Sequence, residues 1–167
     1  MTRFLIFLLI LGLVGCNSAL KDDPASQYYL IPVGSTIKLL KRVAIPPNTA
    51  HINLQYGKFV RDNELALYYP HCRFTISDLS NIAREIKPDT FRITHVENLE
   101  YVASWPDVVD YRTKFWIHSD KSPQVLYMIC SQYNSGVFPD WVTIADMKRT
   151  WGEYFTIELA NQPVDKH

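Results

Sequence analysis

Residues 50–56, AHINLQY, carry the clearest secondary-structure signal in the chain. Apolar and polar side chains alternate along this stretch in the order Ala50, His51, Ile52, Asn53, Leu54, Gln55 and Tyr56. Successive side chains of a β-strand point to opposite faces of its sheet, so the alternation predicts a strand with one buried and one exposed face. The stretch therefore favours a β-rich fold.

The same alternation recurs on both sides of this stretch. It predicts strands at residues 37–45, 65–69, 72–76, 111–117 and 155–159, and two strands within 90–104 joined by a turn near Glu97 and Asn98. Residues 125–130, VLYMIC, are apolar on both faces, which predicts a central strand covered on both sides. His51 and His71 fall on the polar faces of their strands, where we expect solvent.

The C-terminal part of the chain predicts a helix. Thr143 and Asp146 have the spacing of a capping box, and Gly152 stands where a C-terminal cap would. Residues 77–85 fit either a short helix or a turn. Strands that follow one another without intervening helices favour antiparallel pairing. The sequence therefore predicts a mainly β (α+β) fold: an antiparallel β-sandwich or barrel of about eight or nine strands with one C-terminal helix.

The first sixteen residues have the pattern of an export signal. Arg3 supplies a positive charge, and an apolar run from Phe4 to Val14 follows it. A helix needs about 20 apolar residues to cross a bilayer, so this run is too short for a typical span and fits a signal-peptide core. An ordinary secretory signal with a chance cysteine is the alternative interpretation.

Leu13-Val14-Gly15-Cys16 resembles the lipobox of bacterial lipoproteins. The resemblance implies that residues 1–15 are a signal peptide that is removed, and that Cys16 becomes a lipidated N-terminus carrying acyl chains such as palmitate. Two or three acyl chains anchor a protein stably to a membrane. The resemblance also implies the cell envelope and, because Asn17 is not Asp, the outer membrane facing the periplasm if the cell is Gram-negative.

The mature part of the chain has the length and composition of one globular domain. Residues 16–27 are mostly polar and predict a lipidated cysteine with a tether, followed by a single β-rich domain at residues 28–167. Without Arg3 the chain carries 16 basic and 17 acidic residues. This balance gives no electrostatic reason to expect nucleic acid as a partner.

Cys72 and Cys130 are the two cysteines of the mature chain. Two thiols in a small exported domain usually pair, so we predict a disulfide, which would stabilise the fold by about 4 kcal/mol. A metal site at His71 and Cys72, or a cysteine nucleophile, is the alternative. Adjacent strand residues point to opposite faces, which makes His71 and Cys72 poor partners for one ion.

Signatures of catalysis, of metal binding and of nucleotide binding are absent from the sequence: there is no P-loop, dinucleotide fingerprint, nucleophile elbow or zincin helix. The histidines have no partner at the spacing of a ligand pair; they are His51, His71, His95, His118 and His167. Several carboxylates lie in predicted loops, namely Asp62, Glu64, Asp107, Asp110 and Asp120. We therefore assign no catalytic residue, metal or cofactor, and an enzyme is not the favoured interpretation.

Aromatic residues offer a binding hypothesis. The chain has ten Tyr, eight Phe and four Trp, and seven of these are more than a core strictly needs: Tyr28, Tyr29, Tyr68, Tyr69, Trp105, Trp116 and Trp141. Trp116 falls on the more polar face of its strand, and Trp105 lies in a predicted loop. Exposed aromatic rings at these positions would stack on sugar rings or anchor a protein partner. A large aromatic core, or a tryptophan beneath the C-terminal helix, is the competing explanation.

Two stretches, YPHCRFTI at residues 69–76 and the tail from Thr143 to Leu159, are similar to segments of small uncharacterised lipoproteins of gammaproteobacteria. The resemblance implies a single domain and supports pairing of the two cysteines, but it brings no function.

Three functional hypotheses follow from the sequence. The leading one is a membrane-anchored, non-catalytic envelope module that interacts with another envelope protein. The second is a glycan- or lipid-binding domain that uses Trp105 and Trp116. The third is a hydrolase whose site is assembled from distant residues, which requires a cavity where carboxylates or histidines converge.

Overall fold

The computed structural model describes residues 22–104, 107–136 and 138–161. The predicted signal peptide, Cys16, Trp105 and His167 lie outside the described residues. The described part contains ten strands and one complete α-helix, and none of its helices is long and apolar enough to cross a membrane. The elements are β1 (Thr36–Leu39), β2 (Val43–Ile45), β3 (His51–Gln55), β4 (Lys58–Val60), β5 (His71–Ile76), β6 (Arg84–Ile86), β7 (Asp89–Ser104), β8 (Val108–His118), β9 (Val125–Asn134), α1 (Ile144–Trp151) and β10 (Phe155–Glu158).

Eight strands form one antiparallel sheet in the order β10-β1-β7-β8-β9-β5-β3-β4, and β2 pairs with β6 in a separate ribbon. The sheet curls into an open half-barrel, so that strands far apart in the order meet across its interior. The ring of Phe74 in β5 lies 5.2 Å from that of Phe155 in β10 and 6.0 Å from that of Phe91 in β7. The predicted mainly β, antiparallel fold with a C-terminal helix is confirmed.

The core lies on the concave, inner face of the sheet. Alternate residues of each strand reach it, as the sequence pattern predicts; Ile52 and Leu54 of β3 are 6% and 0% exposed. The ribbon contributes Val43, Ile45 and Ile86 to the same core. A fully buried Leu, Ile or Phe side chain stabilises a fold by roughly 1.5–3 kcal/mol. Burial of these side chains therefore stabilises the curved shape of the sheet.

Cys72 and Cys130 form a disulfide between β5 and β9 and close a loop of 58 residues. The two cysteines are directly opposite in the strand register, and both are fully buried on the inner face. The predicted disulfide is confirmed. The alternatives of a metal site at Cys72 and of a cysteine nucleophile are wrong, because both sulfurs are bonded and inaccessible.

Helix α1 begins and ends as predicted. Thr143 Oγ1 accepts from the backbone N–H of Asp146, and the Asp146 carboxylate accepts from the backbone N–H of Thr143, so the capping box is complete. The helix buries Ile144, Met147 and Trp151 in the core, and Trp151 is fully buried.

The end of α1 contacts the turn between β3 and β4. The backbone N–H of Gly57 donates to the carbonyl of Thr150 at 3.0 Å. Gly57 and Gly152 both have positive φ, at 73° and 57°. A Cβ on Gly152 would lie 2.7 Å from the Cα of Gly57, closer than non-bonded carbons approach. Only two glycines allow the helix and the turn to meet in this way.

The chain enters the domain beside the hairpin of β7 and β8. The ring of Tyr28 lies 6.1 Å from that of Trp141, which lies 5.6 Å from that of Tyr111 in β8. Tyr111 is paired with Glu100, close to the turn that joins β7 and β8. The described N-terminal residues are therefore packed near the tip of this hairpin.

Two predicted strand boundaries are wrong. The strand predicted at residues 37–45 is divided into β1 and β2, because Lys41 would otherwise lie on a buried face; instead its ammonium pairs with Glu153 in solvent. Residues 90–104 form one continuous strand rather than two. Glu97 and Asn98, taken as a turn, are paired with Lys114 and Thr113 of β8, and this pairing overrides the local turn preference.

Three further predictions need correction. Residues 65–69 form no strand, because they cross the outer face of the sheet. Residues 77–85 form bends, irregular chain and the start of β6, so of the two predicted possibilities the helix is wrong. Strand β9 is central, as predicted, but only its inner face is fully covered, and Leu126 is 39% exposed.

Candidate functional site

The convex, outer face of β7, β8 and β9 carries aromatic and cationic side chains in alternation. We call Tyr101, Arg112, Lys114, Trp116 and Tyr127 the aromatic–cation row. Strand register brings them together, because Trp116 is directly opposite Tyr127 of β9 and Lys114 is two residues from Trp116 on the same face. Helix α1 packs against β3, β5 and β10 and does not form the cover that the sequence allowed for Trp116.

The cations of the row lie over its rings. Lys114 Nζ is 4.2 Å from the ring centroid of Trp116 and 4.3 Å from that of Tyr127. The Arg112 guanidinium is 4.5 Å from the ring centroid of Tyr101. Each such cation–π contact contributes about 0.5–1 kcal/mol at an exposed site. The contacts therefore favour one arrangement of these long side chains on a partly exposed face.

The structure places the two predicted tryptophans differently. Trp116 is partly exposed on the outer face, as predicted, and the ring of His95 lies 4.8 Å from its ring. Trp105 lies outside the described residues. The described part of the chain therefore offers Trp116, but not a pair of tryptophans, for binding.

The connection from β4 to β5, residues 61–70, lies across the outer face beside this row. Asp62 attaches one end: its carboxylate accepts from Asn53 at 3.0 Å and from Arg73 at 2.7 Å, and it contacts His51 Nε2 at 3.1 Å. The bond from Asn53, supported by His51 and Arg73, holds the pKa of Asp62 below its ordinary value of 3.8. An ionised Asp62 thus fixes the connection to β3 and β5.

Hydrogen bonds from the Gln55 side chain and from the Tyr133 backbone attach the middle of the same connection. The side-chain amide of Gln55 donates to the carbonyl of Ala66 at 2.9 Å and accepts from its N–H at 3.0 Å. The backbone N–H of Tyr133 donates to the carbonyl of Leu67 at 2.8 Å. These bonds of Gln55 and Tyr133 replace the strand pairing that the alternation at residues 65–69 predicts.

A polar cavity of about 190 Å³ lies between this connection and the sheet. Leu65 and Leu67 line it from the connection. The sheet contributes polar side chains from three strands: His71 and Arg73 from β5, Asp110 and Arg112 from β8, and Ser131 from β9. Arg112 belongs to both the cavity and the aromatic–cation row, so the two features are continuous.

His71 is buried, at 8% exposure, and the prediction of a solvated side chain is wrong. Its Nδ1 lies 3.0 Å from the carbonyl of Tyr69, and its Nε2 lies 3.1 Å from Ser131 Oγ. Burial lowers the pKa of His71 below its ordinary value of 6.5, so the imidazole is neutral at pH 7.

Asp110 is buried as well, at 3% exposure, and it lies in β8 rather than in the predicted loop. Its Oδ2 accepts from Arg112 Nε at 2.7 Å. Its Oδ1 is buried and has no hydrogen-bond partner within the described residues. A buried carboxylate oxygen without a donor is costly, which distinguishes this position from an ordinary ion pair.

The other predicted carboxylates do not converge on this cavity. Glu64 accepts from the backbone N–H of Arg61, and Asp120 contacts His118 Nε2 at 3.1 Å in solvent. Across the described ranges, no three His, Cys, Asp or Glu residues are grouped as a metal site would require.

The predicted disulfide could have been used to place His71 next to Ser131. Each residue is adjacent in sequence to one of the bonded cysteines. Because Cys72 and Cys130 are directly opposite in antiparallel strands, the preceding residue of one strand faces the following residue of the other. His71 and Ser131, which are 60 residues apart, are therefore neighbours on the outer face.

Comparison with known proteins identifies no relative of this chain. The resemblances at Leu13–Cys16 and at residues 69–76 therefore stay predictions, and functional proposals rest on the described side chains. A scan of protein-family models and searches of curated proteins and of solved structures found no match to this chain.

Proposed function

We propose that this chain is a lipid-anchored module of the bacterial cell envelope, and that its β domain binds another envelope protein through the outer face of β7–β9. The anchor is Cys16, with the signal peptide at residues 1–15 and the outer membrane, facing the periplasm, as the location in a Gram-negative cell. The aromatic–cation row is the observation that carries the binding proposal.

The composition of the row fits a protein interface. Trp, Tyr and Arg are the residue types that most often dominate the binding energy of protein complexes. Here Tyr101, Arg112, Trp116 and Tyr127 lie together on three adjacent strands, and Tyr101 is 47% exposed. Side chains already held by cation–π contacts lose little conformational freedom on binding, so a partner meets a preorganised surface.

The geometry favours a protein over the alternative glycan. Sugar rings stack on the open face of an aromatic ring. The ammonium of Lys114 lies between the rings of Trp116 and Tyr127, and the guanidinium of Arg112 lies over Tyr101. A sugar would have to displace these cations, whereas a protein can contact ring edges and cations together.

A site-specific photo-crosslinker tests the binding face. A photoreactive phenylalanine is placed at Glu97, which is exposed and directly opposite Lys114. The full chain is expressed in its native cell, so that the natural partner is present. The matched control carries it at Lys58, which is exposed in the edge strand β4, three strands away from β9. We expect a discrete protein adduct from Glu97, none from Lys58, and loss of the Glu97 adduct when Trp116→Ala is added.

An adduct of Glu97 that survives Trp116→Ala would contradict the proposed face. A glycan or lipid adduct at Glu97 would favour the alternative hypothesis instead. The anchor is tested separately by metabolic labelling with a fatty acid. The wild-type chain should incorporate label and Cys16→Ala should not, and a wild-type chain that retains residues 1–15 without label would refute the anchor.

A further inference from the structure

We propose that Ser131 is a nucleophile activated by His71, and that the adjoining cavity accepts a short acyl group from an ester. This activity would add chemistry to a module whose sequence alone favours a non-catalytic role. It does not depend on the proposed protein partner.

The hydrogen bonds of His71 determine which nitrogen carries the proton. A backbone carbonyl only accepts, so the Nδ1 that faces the carbonyl of Tyr69 at 3.0 Å must carry the hydrogen. In a neutral imidazole, Nε2 is then the acceptor. Ser131 Oγ, at 3.1 Å from Nε2, must therefore donate its hydroxyl proton to the bond. A hydroxyl hydrogen-bonded to an oriented base is the arrangement of a general-base-assisted nucleophile.

Charges of both signs surround His71. Burial keeps the pKa of the imidazole low, so the base is unprotonated at neutral pH. The ionisable groups that face it are Asp110, which raises the pKa of the imidazole, and Arg73 and Arg112, which lower it. The negative charge of Asp110 stabilises the imidazolium that forms during attack, and Asp110 lines the same cavity. Asp110 is thus a positioning residue that acts through His71.

The cavity also supplies positive charge for a developing oxyanion. Arg73 and Arg112 line it together with Ser131. A guanidinium has five N–H donors. The bonds of Arg73 to Asn53 and Asp62 use two of them. The volume of about 190 Å³ is below the ~300–1,000 Å³ typical of drug-sized ligands, so it suits an acetyl-sized group rather than a long chain.

The reaction has two balanced steps. Ser131 Oγ attacks the ester carbonyl while its proton passes to His71 Nε2. The C–O bond to the alcohol then breaks, and Nε2 protonates the departing oxygen. Water attacks the acyl-serine in the second step, giving its proton to Nε2, which returns it to Ser131 as the carboxylic acid leaves.

Covalent labelling of the full-length, oxidised protein tests the proposal. The probe is a fluorophosphonate, from which a serine oxygen displaces fluoride, and the labelled residue is identified by peptide mass spectrometry. Ser119 is the matched control, because it is also buried but donates to the carboxylate of Asp89 rather than to an imidazole. We expect an adduct on Ser131, none on Ser119, and p-nitrophenyl acetate hydrolysis that Ser131→Ala abolishes.

The variant His71→Gln tests whether Ser131 is activated by His71 or is merely accessible to the probe. Gln preserves a polar side chain but is no base, so labelling of Ser131 should slow at least about 100-fold, the lower range for general-base catalysis. Circular dichroism verifies that the variant is folded. Absence of an adduct on Ser131 in the folded wild type would overturn the proposal, as would equal labelling rates in wild type and a folded His71→Gln.

Discussion

Substitution of Gly152 by alanine should destabilise the domain more than its position after the last helical turn suggests. Gly152 has φ 57° and ψ −125°, a combination that residues with a Cβ avoid. Holding alanine there costs about 1–3 kcal/mol in backbone strain. The added methyl would also lie 2.7 Å from Gly57 Cα, where carbons normally keep about 3.5–4 Å.

The overlap adds a second cost. Both atoms belong to backbone, so α1 and the β3–β4 turn must separate by several tenths of an ångström. That movement weakens the bond from the Gly57 N–H to the Thr150 carbonyl and loosens the packing of Trp151. Overpacking of this kind costs typically 1–3 kcal/mol. With the strain, we expect Gly152→Ala to lose about 4 kcal/mol.

Gly34 provides the matched control. Its φ of 94° is also positive, but the nearest atoms to an added Cβ are 3.9 Å away, in ordinary contact. Gly34→Ala should therefore lose only the conformational cost, about 1–2 kcal/mol. The measurement is urea unfolding of the oxidised protein followed by circular dichroism. If the two variants differ by less than about 1 kcal/mol, the close contact of helix and turn is not what makes Gly152 necessary.

Three further predictions concern stability. Replacing Cys72 and Cys130 together by alanine should cost up to about 4 kcal/mol, because the unfolded chain regains the freedom of a 58-residue loop, and the thermal midpoint should fall accordingly; an unchanged midpoint would contradict this. Thr143→Ala should cost about 1 kcal/mol in urea unfolding, since the N–H of Asp146 loses its acceptor, whereas Thr143→Ser should be close to wild type. His71 is held neutral by burial, so its folded pKa lies below its unfolded value of 6.5; stability should be full above pH 6.5 and fall as pH drops below it, and His71→Gln should flatten this part of the profile measured between pH 8 and 5.

Local alternation predicted most strands because side-chain direction is a local property of the backbone. The stretch from Ile52 to Leu54 and the alternation around Phe115 are correct for this reason. Predicted strand boundaries were wrong where residues distant in sequence determine the pairing. Glu97 and Asn98 continue a strand because β8 runs beside them, and Lys41 interrupts one because no solvent reaches the face that it would occupy.

The candidate site was less predictable than the fold. Alternation assigned His71 correctly to the outer face, but it could not show that residues 61–70 cover part of that face. Asp110 was placed in a loop on residue type alone, although pairing with Tyr101 and Tyr133 makes it part of β8. Cation–π contacts of Lys114 depend on strand order, which no short window of sequence contains.

Lipidation of Cys16, as we propose, would attach the domain to a bilayer from the side of the β7–β8 hairpin, because Tyr28 packs on Trp141 near that hairpin. Eleven residues lie between Cys16 and Tyr28, and the chain from one to the other spans about 40 Å at most, so the hairpin tip would stay within about that distance of the proposed lipid. Val102 and Phe138, 66% and 74% exposed, belong to that end. If Cys16 carries the proposed lipid, a fluorophore at Val102 should be quenched by headgroup-labelled lipid more strongly than one at Asp120, and equal quenching would contradict attachment from the hairpin side.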